Sequence, residues 1–91
     1  MKNNSPTFGE KVIRVDFNAS GSDKVHKIKT KFAELINEMQ AYKNDFVSTY
    51  YDSVEPENAS EVLRLHSLTL AHIETSAMFA VKFITSEGFP S

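Results

Sequence analysis

A helical repeat of apolar residues extends from Val25 to Tyr51 and constrains the fold more than any other part of the sequence. Most of its members are three or four residues apart: Val25, Ile28, Phe32, Leu35, Ile36, Met39, Phe46, Val47 and Tyr50. That spacing places them along one side of an α-helix. Such a helix would be roughly 40 Å long at 1.5 Å per residue. This is too long for the core of a 91-residue monomer.

A second helical pattern, from Ala59 to Thr85, offers the first helix a partner of similar length. The segment 52–57 is expected to form the bend, because Pro56 cannot continue a helix. Gly88 and Pro90 are placed to end the second helix. We therefore predict an all-α protein, a long antiparallel helical hairpin with helices over about residues 22–52 and 58–86. The hairpin domain would span residues 11–91.

The second helix carries apolar residues on more than one side, including five in succession from Ala77 to Val81. A helix that is apolar all round is buried all round. One neighbouring helix cannot cover it, so we expect the chain to assemble into a homo-oligomer with the second helices at its centre.

The N-terminal part is predicted to contain no helix. Residues 1–10 are interpreted as a flexible start. In residues 11–17, Ile13, Val15 and Phe17 alternate with polar residues, as in a short strand or extended arm. That arm either pairs with another subunit or lies along a helix.

Ser20 and Ser22 are alternative N-caps for the first helix, and Asn58 with Glu61 has the spacing of a cap for the second.

Composition excludes several classes of function. The chain has no cysteine, no run of eighteen apolar residues and no apolar signal core at its start. We therefore expect no metal site, no membrane span and a cytoplasmic protein. The net charge of −2 argues against a nucleic-acid polymer as partner. No catalytic motif occurs, so we expect neither an enzyme nor a cofactor.

Six cations crowd the first third of the chain, and they indicate a small anionic ligand: Lys11, Arg14, Lys24, Lys27, Lys29 and Lys31. Cations near a helix N-terminus are disfavoured by the helix dipole. Compensation is therefore expected, either from acidic groups of another subunit or from an anionic ligand held by backbone N–H groups and lysines together. On a helical wheel, Lys24, Lys27 and Lys31 share one exposed face. Lys29 lies on the other flank, at the edge of the apolar side, and is the best candidate for function.

Two alternatives remain for Phe17, which precedes the turn of residues 18–22. It either packs against the start of the helix or offers a flat face on which a base stacks, near a phosphate at Lys29. In the second case Asn18, Ser20 and Gly21 would offer donors.

Glu74 lies in an otherwise apolar helix, where pairing with His72, Lys82 or a neighbouring subunit is the simplest interpretation.

Two stretches resemble a known family. They are RVDFNASGSDKVHKIK (14–29), followed by AELI (33–36), and LAHIETSAMFAVKFI (70–84). They are similar to the two helices of the small phage proteins that sequester cyclic-oligonucleotide immune signals (anti-CBASS sponges). Relatives of that family counter Thoeris signalling by sequestering cyclic ADP-ribose isomers.

The resemblance implies a homohexamer of helical hairpins in the cytoplasm of an infected bacterial host. It would bind cyclic dinucleotides, such as cGAMP, between subunits without cleaving them. In that family an aromatic residue stacks on a base and a lysine contacts the phosphates. The corresponding residues of this sequence are Phe17 and Lys29, and Lys24 is placed nearby. A second site for cyclic trinucleotides is assigned by position to Arg64, His72 and Thr75.

Overall fold

The computed structural model describes residues 5–18 and 20–90, and every regular element in these ranges is helical. The prediction of an all-α protein is therefore confirmed for this part of the chain. Residues 1–4 of the expected flexible start, Ala19 of the turn and Ser91 lie outside the described residues. The elements are α1 (Phe8–Ile13), α2 (Asp23–Asp45), a π-helical segment (Phe46–Tyr50), a 3-10 turn (Tyr51–Ser53) and α3 (Pro56–Ile84).

Helix α1 replaces the extended arm, so the prediction of a strand over residues 11–17 is wrong. Thr7 caps the helix: its hydroxyl accepts from the Glu10 N–H at 3.1 Å, and the Glu10 carboxylate accepts from the Thr7 N–H at 2.7 Å. This reciprocal arrangement is a capping box, and its Thr-x-x-Glu spacing was visible in the sequence. The alternation of Ile13, Val15 and Phe17 arises instead where α1 ends and the chain turns.

The core lies where α1 meets the two long helices. Its buried members come from all three elements and the turn after α1: Ile13, Val15, Ala33, Ile36 and Ala77. Half-buried apolar side chains surround them: Val12, Phe32, Leu70 and Ile73. Val15 therefore joins the core as a turn residue between two exposed neighbours, which explains why the apolar pattern imitated a strand.

Each long helix begins at a residue that sequence reasoning had placed near its start. Ser22 caps α2, because its hydroxyl accepts from the Val25 N–H, and Ser20 is not the cap. Helix α3 begins at Pro56, two residues earlier than predicted, so Asn58 is inside the helix rather than at its cap. Proline suits the first helical position, since its missing N–H would have no partner there.

The first long helix changes its winding before the bend. After Asp45 the chain forms one π-helical segment and then a 3-10 turn that ends at Ser53. The helical path thus reaches the predicted end of the first helix, near residue 52, although its last two turns are not α-helical.

Among the described residues, no helix combines the length and the apolar character that a membrane span requires.

Helix α3 presents an exposed apolar stripe. The stripe, called here the outer stripe, consists of Leu65, Leu68, Phe79 and Phe83. Phe79 and Phe83 are 63% and 64% exposed. The protein measures 51 × 38 × 13 Å along its principal axes. It is thus about one helix thick in its narrowest direction.

His66 is the one half-buried histidine, and it lies on the face of α3 that packs on α2. Its Nε2 atom is buried and has no hydrogen-bond partner in the structure. Burial lowers the pKa of the imidazole, and the nearby charge of Lys43 lowers it further. Both effects disfavour the charged imidazole, as suits a structural position between helices.

Candidate functional site

The turn before α2 is stabilised by hydrogen bonds among its own polar groups. The Asn18 side chain donates to the Ser22 carbonyl at 2.8 Å and accepts from the Ser20 hydroxyl at 2.7 Å. The Ser20 hydroxyl in turn accepts from the Ser22 N–H at 3.1 Å. Gly21 donates to the Asn18 carbonyl and has φ +66°, a conformation that suits glycine. These predicted donors therefore build the turn, and their ligand contacts stay a prediction.

Lys29 connects α2 to the chain that precedes it. Its Nζ atom donates to the carbonyl oxygen of Arg14 at 3.3 Å and to the carbonyl oxygen of Phe17. The ammonium also lies 5.7 Å from the centre of the Phe17 ring. An ammonium carries three N–H donors, so one remains for another acceptor. Phe17 and Lys29 thus lie side by side, and their contacts with a ligand stay a prediction.

Arg14 adds a second cation at the same ring. It ends α1 in the left-handed conformation, with φ 59°, which is uncommon for a residue other than glycine. Its guanidinium lies 5.1 Å from the centre of the Phe17 ring. The Arg14 side chain makes no hydrogen bond or ion pair with the residues that the structure describes. A strained backbone that presents an unpaired cation is a reason to look for a ligand there.

Two adjoining clefts flank Phe17 and Lys29, and both also reach Val81 of α3. The larger cleft, of about 290 Å³, is lined by Val12, Ile13, Arg14, Phe17, Lys29, Glu74, Ala77, Met78 and Val81. The smaller, of about 220 Å³, is lined by Phe17, Asn18, Ser20, Val25, Lys29, Val81 and Thr85. Apolar floors with a few polar groups at the rim are typical of small-molecule sites. Phe17 is 55% exposed and therefore accessible from the clefts.

The wheel assignment of the lysines is confirmed. Lys24, Lys27 and Lys31 are exposed, whereas Lys29 is half-buried against the turn. Lys24 lies outside both clefts described above. It lines the neighbouring cleft at the C-terminal end of α3, which shares Ser20 and Thr85 with the smaller one.

The predicted second site is not assembled within one chain. The Arg64 guanidinium is bound by Glu61, with its Nη2 2.9 Å from Oε2, and this pairing lowers the pKa of Glu61. The Thr75 hydroxyl donates to the Ala71 carbonyl within the helix. His72 lines a shallow groove beside the outer stripe. Arg64 and Thr75 are eleven residues apart, roughly 16 Å along α3, so they do not meet around one small ligand.

Two charged residues that line the larger cleft, Arg14 and Glu74, were not among the predicted ligand-binding residues. Arg14 was expected in a strand, and only the capping box that starts α1 could have placed it at a helix end. Glu74 was expected to be paired. In the structure it is exposed on the cleft wall, and it has no hydrogen bond or ion pair with the described residues.

The described residues, 5–18 and 20–90, contain no group of three or more His, Asp or Glu side chains that could hold a metal ion. Comparisons with known protein families, with curated proteins and with solved structures find no match to this chain. The functional conclusion therefore depends on the geometry of the clefts and on the sequence resemblance described above.

Proposed function

We propose that this protein is a sponge that sequesters a cyclic dinucleotide immune signal and does not cleave it. The observation that carries the proposal is the pair of adjoining clefts separated by Phe17 and Lys29. A cyclic dinucleotide carries two bases on a ring of two riboses and two phosphates. Two apolar clefts on either side of an aromatic ring and an ammonium match that division of the ligand.

The groups at the clefts supply the chemistry that such a ligand needs. Phosphate oxygens would accept from the third N–H donor of Lys29 and from the unpaired guanidinium of Arg14. A base would stack on Phe17 or on the planar guanidinium above it, since both surfaces stack on bases. Neither group is a nucleophile positioned by a general base, and this supports binding without turnover.

The ligand would be shared between subunits. The larger cleft, at about 290 Å³, is at the lower limit for a small-molecule pocket and is too small to enclose a whole dinucleotide. A homohexamer of antiparallel hairpins, as the resemblance implies, would close the open side. In support, the start of α2 at Val25 and Lys29 adjoins the end of α3 at Val81 and Thr85, as an antiparallel pair requires.

The biological setting follows from the resemblance to phage sponges. In the cytoplasm of an infected bacterium, the protein would lower the free concentration of the signal, so the host effector would remain inactive. An affinity near nanomolar, about −12 kcal/mol, would be needed to compete with a receptor. Cyclic ADP-ribose isomers are the alternative ligand, and cyclic trinucleotides would need a second site formed between subunits near His72.

A thermal-shift screen tests this proposal. Cyclic di- and trinucleotides and cyclic ADP-ribose isomers are added separately, and the midpoint of unfolding is measured. A ligand that binds only the folded state, at one hundred times its dissociation constant, adds about 2.7 kcal/mol. For a chain of this size we expect a rise of roughly 15 °C with one ligand class. No rise with any of them would contradict the sponge.

Recovery of the ligand separates binding from turnover. After incubation, the protein is denatured and the nucleotide is analysed by chromatography. A sponge returns the ligand intact, whereas a linear or hydrolysed product would identify an enzyme.

The outer stripe favours self-association. It also supports the second candidate function, that of an adaptor whose oligomeric surface binds another protein. Its phenylalanines are nearly two-thirds exposed, and a second copy of the chain offers the same apolar surface in return. We expect Phe79→Glu to reduce the sedimentation mass to that of a smaller species. The new carboxylate would have to be buried against the apolar stripe of a second copy, where Lys82 of its own helix is the cation beside it. Ser67→Glu, on the other side of α3, is the control. A wild-type chain that sediments as a monomer would contradict this proposal.

A further inference from the structure

The larger cleft carries opposite charges on its two walls. Arg14 and Lys29 lie on the wall formed by the turn and α2, and Glu74 lies on the wall formed by α3. The floor between them is apolar, with Ala77 at the bottom, only 5% exposed. A ligand that only offers phosphates to this cleft would be repelled by Glu74.

Glu74 is free to bind. It has no hydrogen bond or ion pair with any residue that the structure describes, although two cations line the same cleft. An ionised carboxylate only accepts hydrogen bonds, through two oxygens that match a pair of adjacent donors. The ligand that fits this cleft therefore has an anionic group at one end and two adjacent N–H donors at the other.

We propose that Glu74 recognises the base of the bound nucleotide and selects guanine over adenine. Guanine presents two adjacent donors on its pairing edge, N1–H and N2–H₂, and both reach one carboxylate. Adenine presents one donor, N6–H₂, beside the N1 acceptor, which a carboxylate repels. This inference rests on the proposed function, because it concerns the same cleft, but it assigns a role to a residue that the resemblance does not.

The orientation of the ligand follows from the two walls. The phosphate would lie at Arg14 and Lys29, the ring of the base would cover the apolar floor near Met78, and its pairing edge would meet Glu74. A site built to accept hydrogen bonds rejects an analogue that lacks the donors, because its own polar group is then left unpaired.

The experiment compares cyclic di-GMP, cyclic GMP-AMP and cyclic di-AMP by isothermal titration, on the wild type and on Glu74→Gln. We expect the wild type to prefer ligands that contain guanine. In Glu74→Gln, their affinity should fall by about tenfold to a hundredfold, because one acceptor oxygen and the charge are lost. The affinity for cyclic di-AMP should stay the same or rise, because a repulsive charge has been removed.

Glu87→Gln is the matched control, since this glutamate is exposed beyond the end of α3 and lines none of the clefts described. It removes the same charge and should leave all three affinities unchanged. If the wild type binds no cyclic dinucleotide, the proposed function fails. If it binds all three and Glu74→Gln changes them equally, or not at all, the role of Glu74 is overturned while the proposed function stands.

Discussion

A Gly9→Ala variant should lose at least about 2 kcal/mol of unfolding free energy. Gly9 is buried at the point where α1 crosses α2. A Cβ at this position would overlap the carbonyl oxygen of Ala33 and would lie 2.8 Å from the carbonyl carbon of Ala33 and from the side-chain oxygen of Asn37. The Ala33 atoms belong to the backbone of α2, so they cannot give way as a flexible side chain would.

The same variant should also weaken the hydrogen bonds that fasten α1. Asn37 accepts from the Gly9 N–H at 2.7 Å and donates to the Thr7 hydroxyl at 3.0 Å. If α1 moves outward, both contacts lengthen and the core loses the packing of Ile13. We expect the melting temperature to fall by roughly 10 °C or more.

Gly88→Ala is the control for Gly9→Ala. No atom lies within 4 Å of a Cβ built on Gly88, and its φ is not in the left-handed region. Its melting temperature should match that of the wild type within the error of calorimetry. Equal stability of the two variants would mean that α1 does not pack on α2 as described.

Lys29→Ala should reduce the affinity for the cyclic nucleotide by about tenfold or more. The ammonium is the proposed phosphate contact, and it also holds the carbonyls of Arg14 and Phe17. Its removal therefore takes away one charge and loosens the turn that positions the Phe17 ring. Affinity is measured by isothermal titration at a temperature where both proteins are folded, and sedimentation checks that the variant has the same mass as the wild type.

The control for Lys29→Ala is Lys27→Ala, which removes the same charge from the exposed face of the same helix. It should change the affinity by less than about threefold, since an exposed charge is screened by salt. Loss of affinity in both variants to the same extent would indicate a general effect of charge. Wild-type affinity in Lys29→Ala would contradict the site.

The sequence was sufficient for the two long helices, because their apolar period is sustained over many turns. It failed at α1, where a six-residue helix is too short to produce a period and its apolar end alternated like a strand. The capping residues Thr7 and Glu10 were the better signal. Local chemistry at a helix end thus carried more information than the hydrophobic pattern.

The sequence predicted that Phe17 and Lys29 lie close together beside the first long helix, and the structure shows this. Their role at a ligand site stays a prediction. The contact between them depends on the turn after α1, and no pattern in the sequence gives its path. Arg14 joins the site because the chain adopts a left-handed conformation there, which residue type alone would not suggest. Glu74 lines the same cleft because α3 packs beside the turn, and such a tertiary contact cannot be predicted from a local sequence pattern.

Because the protein is thin, we expect its stability to depend on the chain concentration as well as on the contacts within one chain. In the described part of the chain, which is 13 Å deep in its narrowest direction, the outer stripe of α3 stays exposed, whereas stable domains normally bury such surfaces between packed layers. If a second copy supplies that layer, the folded state gains free energy by mass action, and each tenfold dilution removes part of it. Melting temperatures of variants are then comparable only at one chain concentration.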